Sequence, residues 1–174
     1  RILARTSVYQ SGGAFGFRDQ LQDAVNLILL DPDPAREQIL LCCAHQFTQG
    51  DVCHWWHSGA GQEHGVRTRI SDDLLWLPWA VCEYVEKTGD RALCRERVAY
   101  LLAEALSDCE RERYAPLTPA PEDGTVLDHC LRALAMVLRR GTGAHGLLHI
   151  GSGDWNDGLD LSLIHISEPT RRVV

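Results

Sequence analysis

The sequence predicts an all-α fold, and three observations carry that prediction. Apolar residues recur at helical spacing through about five segments of the 174-residue chain. We find no strand-rich region in which apolar and polar residues alternate. The polar and aromatic residues suited to chemistry fall in alternate connections between the helices, a pattern typical of stacked helical hairpins with one functional rim.

The first two predicted helices lie on either side of a proline-rich turn. Apolar residues follow helical spacing over residues 20–30 and again over residues 35–47. Between them, Asp31-Pro32-Asp33-Pro34 ends one helix and begins the next, because proline is tolerated only in the first turn of a helix. A polar loop rich in Trp, His, Gly and Arg follows over residues 48–70.

The third predicted helix begins after Ser71, a favourable N-cap residue. Asp72 and Asp73 fall in its first turn, where carboxylates stabilise the helix dipole. Pro78 lies inside the helical pattern and is expected to kink it. The sequence Thr88-Gly89-Asp90 ends this helix.

Two further helices complete the prediction, over residues 91–113 and 125–140. Three prolines between residues 116 and 121 mark the connector that joins them. Glycines from residue 141 through 158 then predict a long loop. No linker divides the chain, so we expect one domain over residues 1–160.

Composition narrows the class of protein. The chain has 17 Lys and Arg against 24 Asp and Glu, a net charge of −7, which argues against a general nucleic-acid footprint. No apolar run approaches the roughly 20 residues of a membrane span. There is no signal-peptide pattern and no initial Met, so we expect the natural start to lie upstream. The seven cysteines form no C-x-x-C pair, which favours a reducing, cytoplasmic location.

The most informative segment is the acid loop, residues 153–158, in which glycines flank Asp154, Trp155, Asn156 and Asp157. Carboxylates accept hydrogen bonds from hydroxyl groups, an amide both donates and accepts, and an indole stacks on the apolar face of a sugar ring. A loop bounded by glycines can direct several such groups at one molecule. The segment therefore predicts a carbohydrate site, although Asp between glycines also serves simply to form turns.

The same mixture of residues recurs upstream, in Phe17-Arg18-Asp19-Gln20, in Gln49-Gly50-Asp51 with His54-Trp55-Trp56-His57, and in Arg67-Thr68-Arg69 with Asp72-Asp73. Each of these groups is a candidate for sugar binding, and each has a structural alternative. Arg18-Asp19 suits an ion pair at the start of a helix, and Asp73 suits a first turn. Arg67 and Arg69 could bind an anion, a sugar or a neighbouring carboxylate.

A metal site is not expected. His54 and His57 are three residues apart and Cys53 is adjacent, but no third and fourth ligand follow at metal spacing. We therefore predict no metal site.

The segment Tyr-Gln-Ser-Gly-Gly-Ala-Phe-Gly-Phe-Arg-Asp-Gln-Leu-Gln-Asp, residues 9–23, closely resembles a signature of glycoside hydrolase family 94. Four more blocks fit that family in the same order, at residues 46–57, 65–78, 83–90 and 153–158. The family contains cellobiose, chitobiose and related β-glucoside phosphorylases and the phosphorylase-like domain of cyclic β-1,2-glucan synthases. The glutamine-rich first block is most similar to the glucan synthase and β-1,2-glucan phosphorylase branch.

The resemblance implies a toroid of six helical hairpins, of which this chain would supply about half as a partial α/α toroid. It implies reversible phosphorolysis of a β-glucoside or β-glucan, with inversion, to an α-sugar 1-phosphate. By position, Asp157 matches the general acid, Arg18 and Asp19 match residues that hold the donor sugar, and Trp155 matches a wall of that pocket. Inorganic phosphate would be the co-substrate, and no metal or organic cofactor would be required. Relatives are often homodimers, and a full-length glucan synthase relative could be attached to a membrane.

Two other functions remain open from the residues alone. An inverting glycoside hydrolase on the same scaffold would need a second carboxylate as base, whereas phosphate is already an anionic nucleophile. A glucan-binding module without catalytic activity would also use these side chains. The residues that hold phosphate in the family come from a later part of the domain, so Arg67 and Arg69 are the best local candidates here.

The last residues break the pattern. Residues 161–174 continue neither the helical spacing nor the polar loop, and they resemble a translated sequencing adapter. We therefore predict a non-native tail without function. We also expect a chain that supplies half of a toroid to be inactive and poorly soluble alone, because its uncovered hairpins would expose apolar faces.

Overall fold

The computed structural model describes residues 13–58 and 61–153, and it shows a mixed α/β fold. Of the described residues, 41% are helical and 24% are in strands, which form two antiparallel sheets. The prediction of an all-α, partial α/α toroid is therefore wrong. The strands form from segments that the sequence pattern assigned to a polar loop, a helix and a proline-rich connector.

Four of the five predicted helices are present. In α2, Pro32 occupies the first turn and the side chain of Asp31 accepts a hydrogen bond from the backbone N–H of Asp33. In α4, Thr125 and Asp128 form a reciprocal capping box. The helices are α1 (Phe17–Leu27), α2 (Pro32–Cys43), α3 (Asp73–Thr88) and α4 (Val126–Arg140).

The polar loop that was predicted over residues 48–70 contains two strands of the larger sheet. Its aromatic and β-branched side chains suit a pleated surface. Gly65 is needed there, because a Cβ atom at this position would lie 2.4 Å from the Sγ atom of Cys53. The sheet has the strand order β1 (Phe15–Gly16), β2 (Cys53–His57), β3 (His64–Thr68) and β5 (Glu112–Pro116), with every neighbouring pair antiparallel.

The predicted helix over residues 91–113 is also wrong. After a short 3-10 helix at Leu93–Arg95, the chain forms β4 (Arg97–Leu101), which pairs antiparallel with β6 (Pro119–Thr125) in a two-stranded sheet. Tyr100 is fully buried, whereas Arg97 on the other face is exposed. This alternation is the period of a strand, and pairing with a distant segment decides the structure over local helical spacing.

The core lies between the helices and the larger sheet. Helix α1 packs against α2 and α3, and α3 packs against α4. The first turns of α1 and α3 lie beside β2, because β1 pairs with β2 and leads directly into α1, and because His54 of β2 contacts Asp73 of α3. The largest fully buried hydrophobic side chains are Trp56, Tyr100, Phe17, Leu21, Ile39, Leu74, Leu77 and Leu93.

Candidate functional site

A charged cluster lies where the first turns of α1 and α3 meet. The Nη1 atom of Arg18 lies 3.1 Å from each carboxylate oxygen of Asp72. The same atom is 3.8 Å from the Oδ1 atom of Asp73, the first residue of α3. Arg18 is only 5% exposed, so this guanidinium is largely desolvated and its interaction with the two carboxylates is strong.

Two further side chains extend this Arg18 cluster. The Nδ1 atom of His54 lies 2.8 Å from the Oδ2 atom of Asp73, so a protonated Nδ1 donates to that carboxylate. The indole N–H of Trp76 donates to Asp72 over 3.2 Å. We therefore define the Arg18 cluster as Arg18, His54, Asp72, Asp73 and Trp76.

Asp73 is the least favourably solvated member of the cluster. It is 2% exposed, and among the described residues its Oδ1 atom has no hydrogen-bond donor. Burial raises the pKa of Asp73 above its ordinary value, with a smaller contribution from Asp72, while His54 and Arg18 oppose that rise. A buried carboxylate with a raised pKa is typical of functional sites.

The acid loop begins beside this cluster. The backbone N–H and the hydroxyl of Ser71 both donate to the carbonyl oxygen of Gly153, over 3.0 and 3.1 Å. The backbone N–H of Ser152 donates to the carbonyl oxygen of Arg69 over 3.1 Å. The residue that follows Ser71 is Asp72, so the entrance to the acid loop and the Arg18 cluster are adjacent. The predicted N-cap hydroxyl of Ser71 thus binds Gly153, and α3 has Asp72 as its N-cap residue, without a side-chain capping hydrogen bond.

Four predicted site residues, Asp154, Trp155, Asn156 and Asp157, lie outside the described residues, so the roles predicted for them stay predictions. Asp19 lies in the first turn of α1 with an exposed side chain, which suits both a ligand contact and an interaction with the helix dipole.

Arg67 makes a set of internal contacts. Its guanidinium donates two hydrogen bonds to the carboxylate of Asp51, each 2.7 Å long, and others to Gln49 and to the carbonyl oxygen of Glu104. It also lies over the ring of Phe47, 4.2 Å from the centroid. Arg67 is 4% exposed, and these contacts fix the loop before β2 against the segment after β4.

The side chain of Arg69 also makes internal contacts. Its side chain donates to the carbonyl oxygens of Leu106, Ser107 and Glu110, over 2.8–3.0 Å. It therefore fixes the loop before β5 to the segment that leads into α3. Whether Arg67 or Arg69 also contacts a sugar or an anion stays a prediction.

His54 is the member of the cluster whose role sequence reasoning missed. The sequence pattern placed His54 in a group suited to sugars and offered it as a metal ligand, but did not pair it with Asp73, which lies 19 residues further along the chain. The one available signal was the position of His54 in the block of residues 46–57. Across the described ranges, no group of three or more His, Cys, Asp or Glu side chains is arranged to hold a metal ion. Nor is any described helix both long and apolar enough to cross a membrane.

Comparison with known proteins identifies the class. The model of the Glycosyl hydrolase 94 superfamily catalytic domain matches residues 1–170. The chain therefore belongs to the glycosyl hydrolase 94 superfamily, and the resemblance in the sequence blocks is confirmed.

Several curated proteins are similar to this chain. Cyclic beta-(1,2)-glucan synthase NdvB of Rhizobium meliloti is 46% identical over 160 residues, which is 92% of this chain and 6% of the relative. The 3-O-beta-D-glucopyranosyl-beta-D-glucuronide phosphorylase of Paenibacillus borealis is 26% identical over 92% of this chain and 19% of its own length. The 1,2-beta-oligoglucan phosphorylase of Listeria innocua is 30% identical over 86% of this chain and 13% of its own length. The chain thus spans less than a fifth of the length of each.

Proposed function

We propose that this chain is part of a catalytic domain that cleaves β-glucosides or β-glucans by reversible, inverting phosphorolysis. The product is an α-sugar 1-phosphate, Asp157 is the general acid and inorganic phosphate is the nucleophile. The proposal extends to the whole protein what the printed names of the phosphorylase relatives say of those proteins.

One structural observation supports the proposal more than any other. Ser71 holds the carbonyl oxygen of Gly153 immediately before the acid loop, and the next two residues along the chain, Asp72 and Asp73, pair with Arg18. Motif residues separated by more than 130 positions therefore meet at one place. A turn-forming role for the acid loop alone gives no reason for this convergence.

The chemistry requires few groups. Cleavage of a glycosidic bond with inversion needs an acid that protonates the leaving oxygen and a nucleophile on the opposite face. Phosphate is already an anion, so cationic or amide donors must hold it and no carboxylate base is needed. An acid in this position must stay protonated near neutral pH, and neighbouring carboxylates favour the protonated form. Asp154 in the loop and Asp72 near its entrance would act in that direction.

Within the proposal, the remaining predicted residues bind the sugars. Arg18, Asp19 and Asp73 hold hydroxyl groups of the donor sugar, since charged groups form the strongest hydrogen bonds to hydroxyls. Asp154, Trp155 and Asn156 line the same pocket, with the indole stacked on a sugar face. Arg67 and Arg69 act mainly by holding the surrounding loops, as their internal contacts support, and a direct contact with phosphate or sugar is their second role.

The proposal also covers the wider context. The ligands are a β-linked oligosaccharide or glucan and inorganic phosphate, with no metal or organic cofactor. We propose a cytoplasmic location and a homodimer for the full-length protein. We propose further that the 174-residue chain is inactive alone.

The test compares product formation with and without phosphate. The full-length protein is incubated with β-1,2-linked glucooligosaccharides, and the products are followed by ³¹P NMR for sugar phosphate and by ¹H NMR for free sugar. The proposal predicts an α-sugar 1-phosphate that appears only when phosphate is present. Free sugar released at the same rate without phosphate would identify a hydrolase, and binding of the oligosaccharide without any product would identify a binding module.

A further inference from the structure

The segment that precedes α3 forms a short backbone ladder with the segment that precedes the acid loop. Ser152 donates from its backbone N–H to the carbonyl oxygen of Arg69, and Ser71 donates from its N–H and its hydroxyl to the carbonyl oxygen of Gly153. Three hydrogen bonds of 3.0–3.1 Å thus join Arg69 and Ser71 to Ser152 and Gly153. We call this contact the loop ladder.

Gly151 makes the loop ladder possible. A Cβ atom at this position would lie 1.6 Å from the carbonyl oxygen of Arg69 and 2.8 Å from its carbonyl carbon. These are backbone atoms, so no side-chain rotation could relieve the overlap. Gly143 lies in the same glycine-rich segment and differs in this respect, because the nearest atom to its Cβ position is 3.7 Å away. Only one of these two glycines is therefore required by close packing.

Residues 69–71 are themselves fixed from other directions. The Arg69 side chain binds three backbone carbonyls before β5, and its N–H donates to the carbonyl oxygen of Arg111. At the end of α4, Arg140 donates to the carbonyl oxygen of Ile70 over 3.2 Å. The segment then continues directly into Asp72 and the Arg18 cluster. The ladder therefore joins the acid loop to a support that is held on both sides.

We propose that Gly151 and Ser71 are positioning residues for the proposed reaction, which fix Gly153, the first residue of the acid loop, beside the Arg18 cluster. Asp157 is the fourth residue after Gly153, so an anchored Gly153 limits the reach of the Asp157 backbone to roughly 14 Å. This inference rests on the proposed function for its effect on turnover. The anchoring itself is independent of that function.

The experiment uses four substitutions in the full-length protein, Gly151→Ala, Gly143→Ala, Ser71→Ala and Ser71→Thr. Hydrogen–deuterium exchange of peptides that cover residues 150–158 reports the anchoring. Phosphate-dependent turnover, resolved into kcat and KM, reports its consequence. Melting temperatures show whether each variant is folded.

We expect Gly151→Ala to speed exchange in the acid loop and to lower kcat about 100-fold, since displacement of a reacting group by about 1 Å costs that much. Gly143→Ala should match the wild type in both measurements. Ser71→Ala removes one of two hydrogen bonds to the same oxygen and should lower kcat roughly three- to tenfold. Ser71→Thr keeps the hydroxyl and should restore most of the loss.

The outcomes separate this inference from the proposed function. If Gly151→Ala and Ser71→Ala leave loop exchange like that of Gly143→Ala, the positioning inference is wrong. If Gly151→Ala does not fold, the Ser71 pair decides the question by the same criterion. If the loop is released in these variants but the wild type shows no turnover with phosphate, the anchoring stands and the proposed function is wrong.

Discussion

The substitution Asp73→Asn distinguishes a functional carboxylate from a structural one. Asp73 has two alternative roles. It could stabilise the helix dipole as a first-turn acid of α3, or it could bind a sugar at the cost of a buried charge that destabilises the fold. Asn has nearly the same shape, and its side-chain oxygen can still accept the hydrogen bond from His54 at the position of Oδ2. The change therefore removes the charge and places an amide NH2 group where Oδ1 lies, 3.8 Å from the Nη1 atom of Arg18.

The expected change in stability follows from opposing contributions. The attraction between Asp73 and Arg18 at 3.8 Å is about 4 kcal/mol at an effective dielectric constant of about 20. The charge-assisted part of the His54 bond adds about 1 kcal/mol. Against these, burying the carboxylate costs several kcal/mol. The raised pKa of Asp73 shows that burial outweighs its partners. We expect Asp73→Asn to leave the free energy of unfolding unchanged or to increase it by up to about 2 kcal/mol.

The pH dependence has a definite sign. Because the native pKa of Asp73 is raised, the folded protein holds this proton more tightly than the unfolded chain. The stability associated with Asp73 is therefore fully present below the unfolded pKa and is lost as the pH rises through the raised native pKa. The stability advantage of Asp73→Asn should accordingly be absent in acid and grow with pH.

Differential scanning calorimetry of the full-length protein, from a pH below the unfolded pKa of Asp73 to a pH above its native pKa, measures the change in stability. Turnover is measured in parallel. We expect kcat/KM to fall about 10- to 100-fold, the usual loss for a hydrogen bond to a charged group. Asp33→Asn is the matched control, because Asp33 is also a first-turn acid but is exposed on α2. A destabilisation of about 3–5 kcal/mol by Asp73→Asn, the value typical of a broken buried ion pair, would refute this reasoning.

Three further predictions test the fold. In the native protein, iodoacetamide should label the exposed Cys82 and Cys109 and should spare the four buried cysteines, because burial raises the pKa of their thiols. Mass spectrometry measures the labelling, and rapid modification of all seven cysteines would contradict the described core. Gln46→Leu should lower the free energy of unfolding by about 2–4 kcal/mol in urea titrations, because its fully buried amide makes three hydrogen bonds; a loss below about 1 kcal/mol would count against that network. The exposed side chains of Leu134 and Leu138 on α4 should promote self-association of the 174-residue chain, so replacing both with Gln should shift sedimentation towards monomer; an unchanged distribution would exclude this face as the cause.

The fold could be predicted only where local signals suffice. Helix α4 carries helical spacing and the Thr125–Asp128 capping box within its own segment, so its sequence alone defines it. Strand β3 has no such local definition. It is five residues long and is stabilised by pairing with β2 and with β5, in which His64 faces Pro116. A strand of five residues leaves a weak signal, and its partner β5 lies about 50 residues away, so the sequence pattern assigned β3 to a loop.

The candidate site, like the fold, could be predicted only where local sequence carries the signal. The residue types and their spacing indicated a sugar site, and family membership is now established on that sequence. The partners could not be predicted, because Arg67 meets Asp51 and Arg18 meets Asp72 only after β2 and α3 have packed. Local sequence likewise gave no sign that Gly151 must lie against the backbone of Arg69.

The central claim is that Asp157 donates the proton to the leaving oxygen, and one variant tests it most directly. Asp157→Asn keeps the size of the side chain and removes the acidic proton. Measured in the full-length protein, kcat for phosphate-dependent cleavage should fall by at least about 100-fold, the contribution typical of a general acid, while oligosaccharide affinity stays within a few-fold of the wild type. Wild-type kcat in this variant would contradict the account.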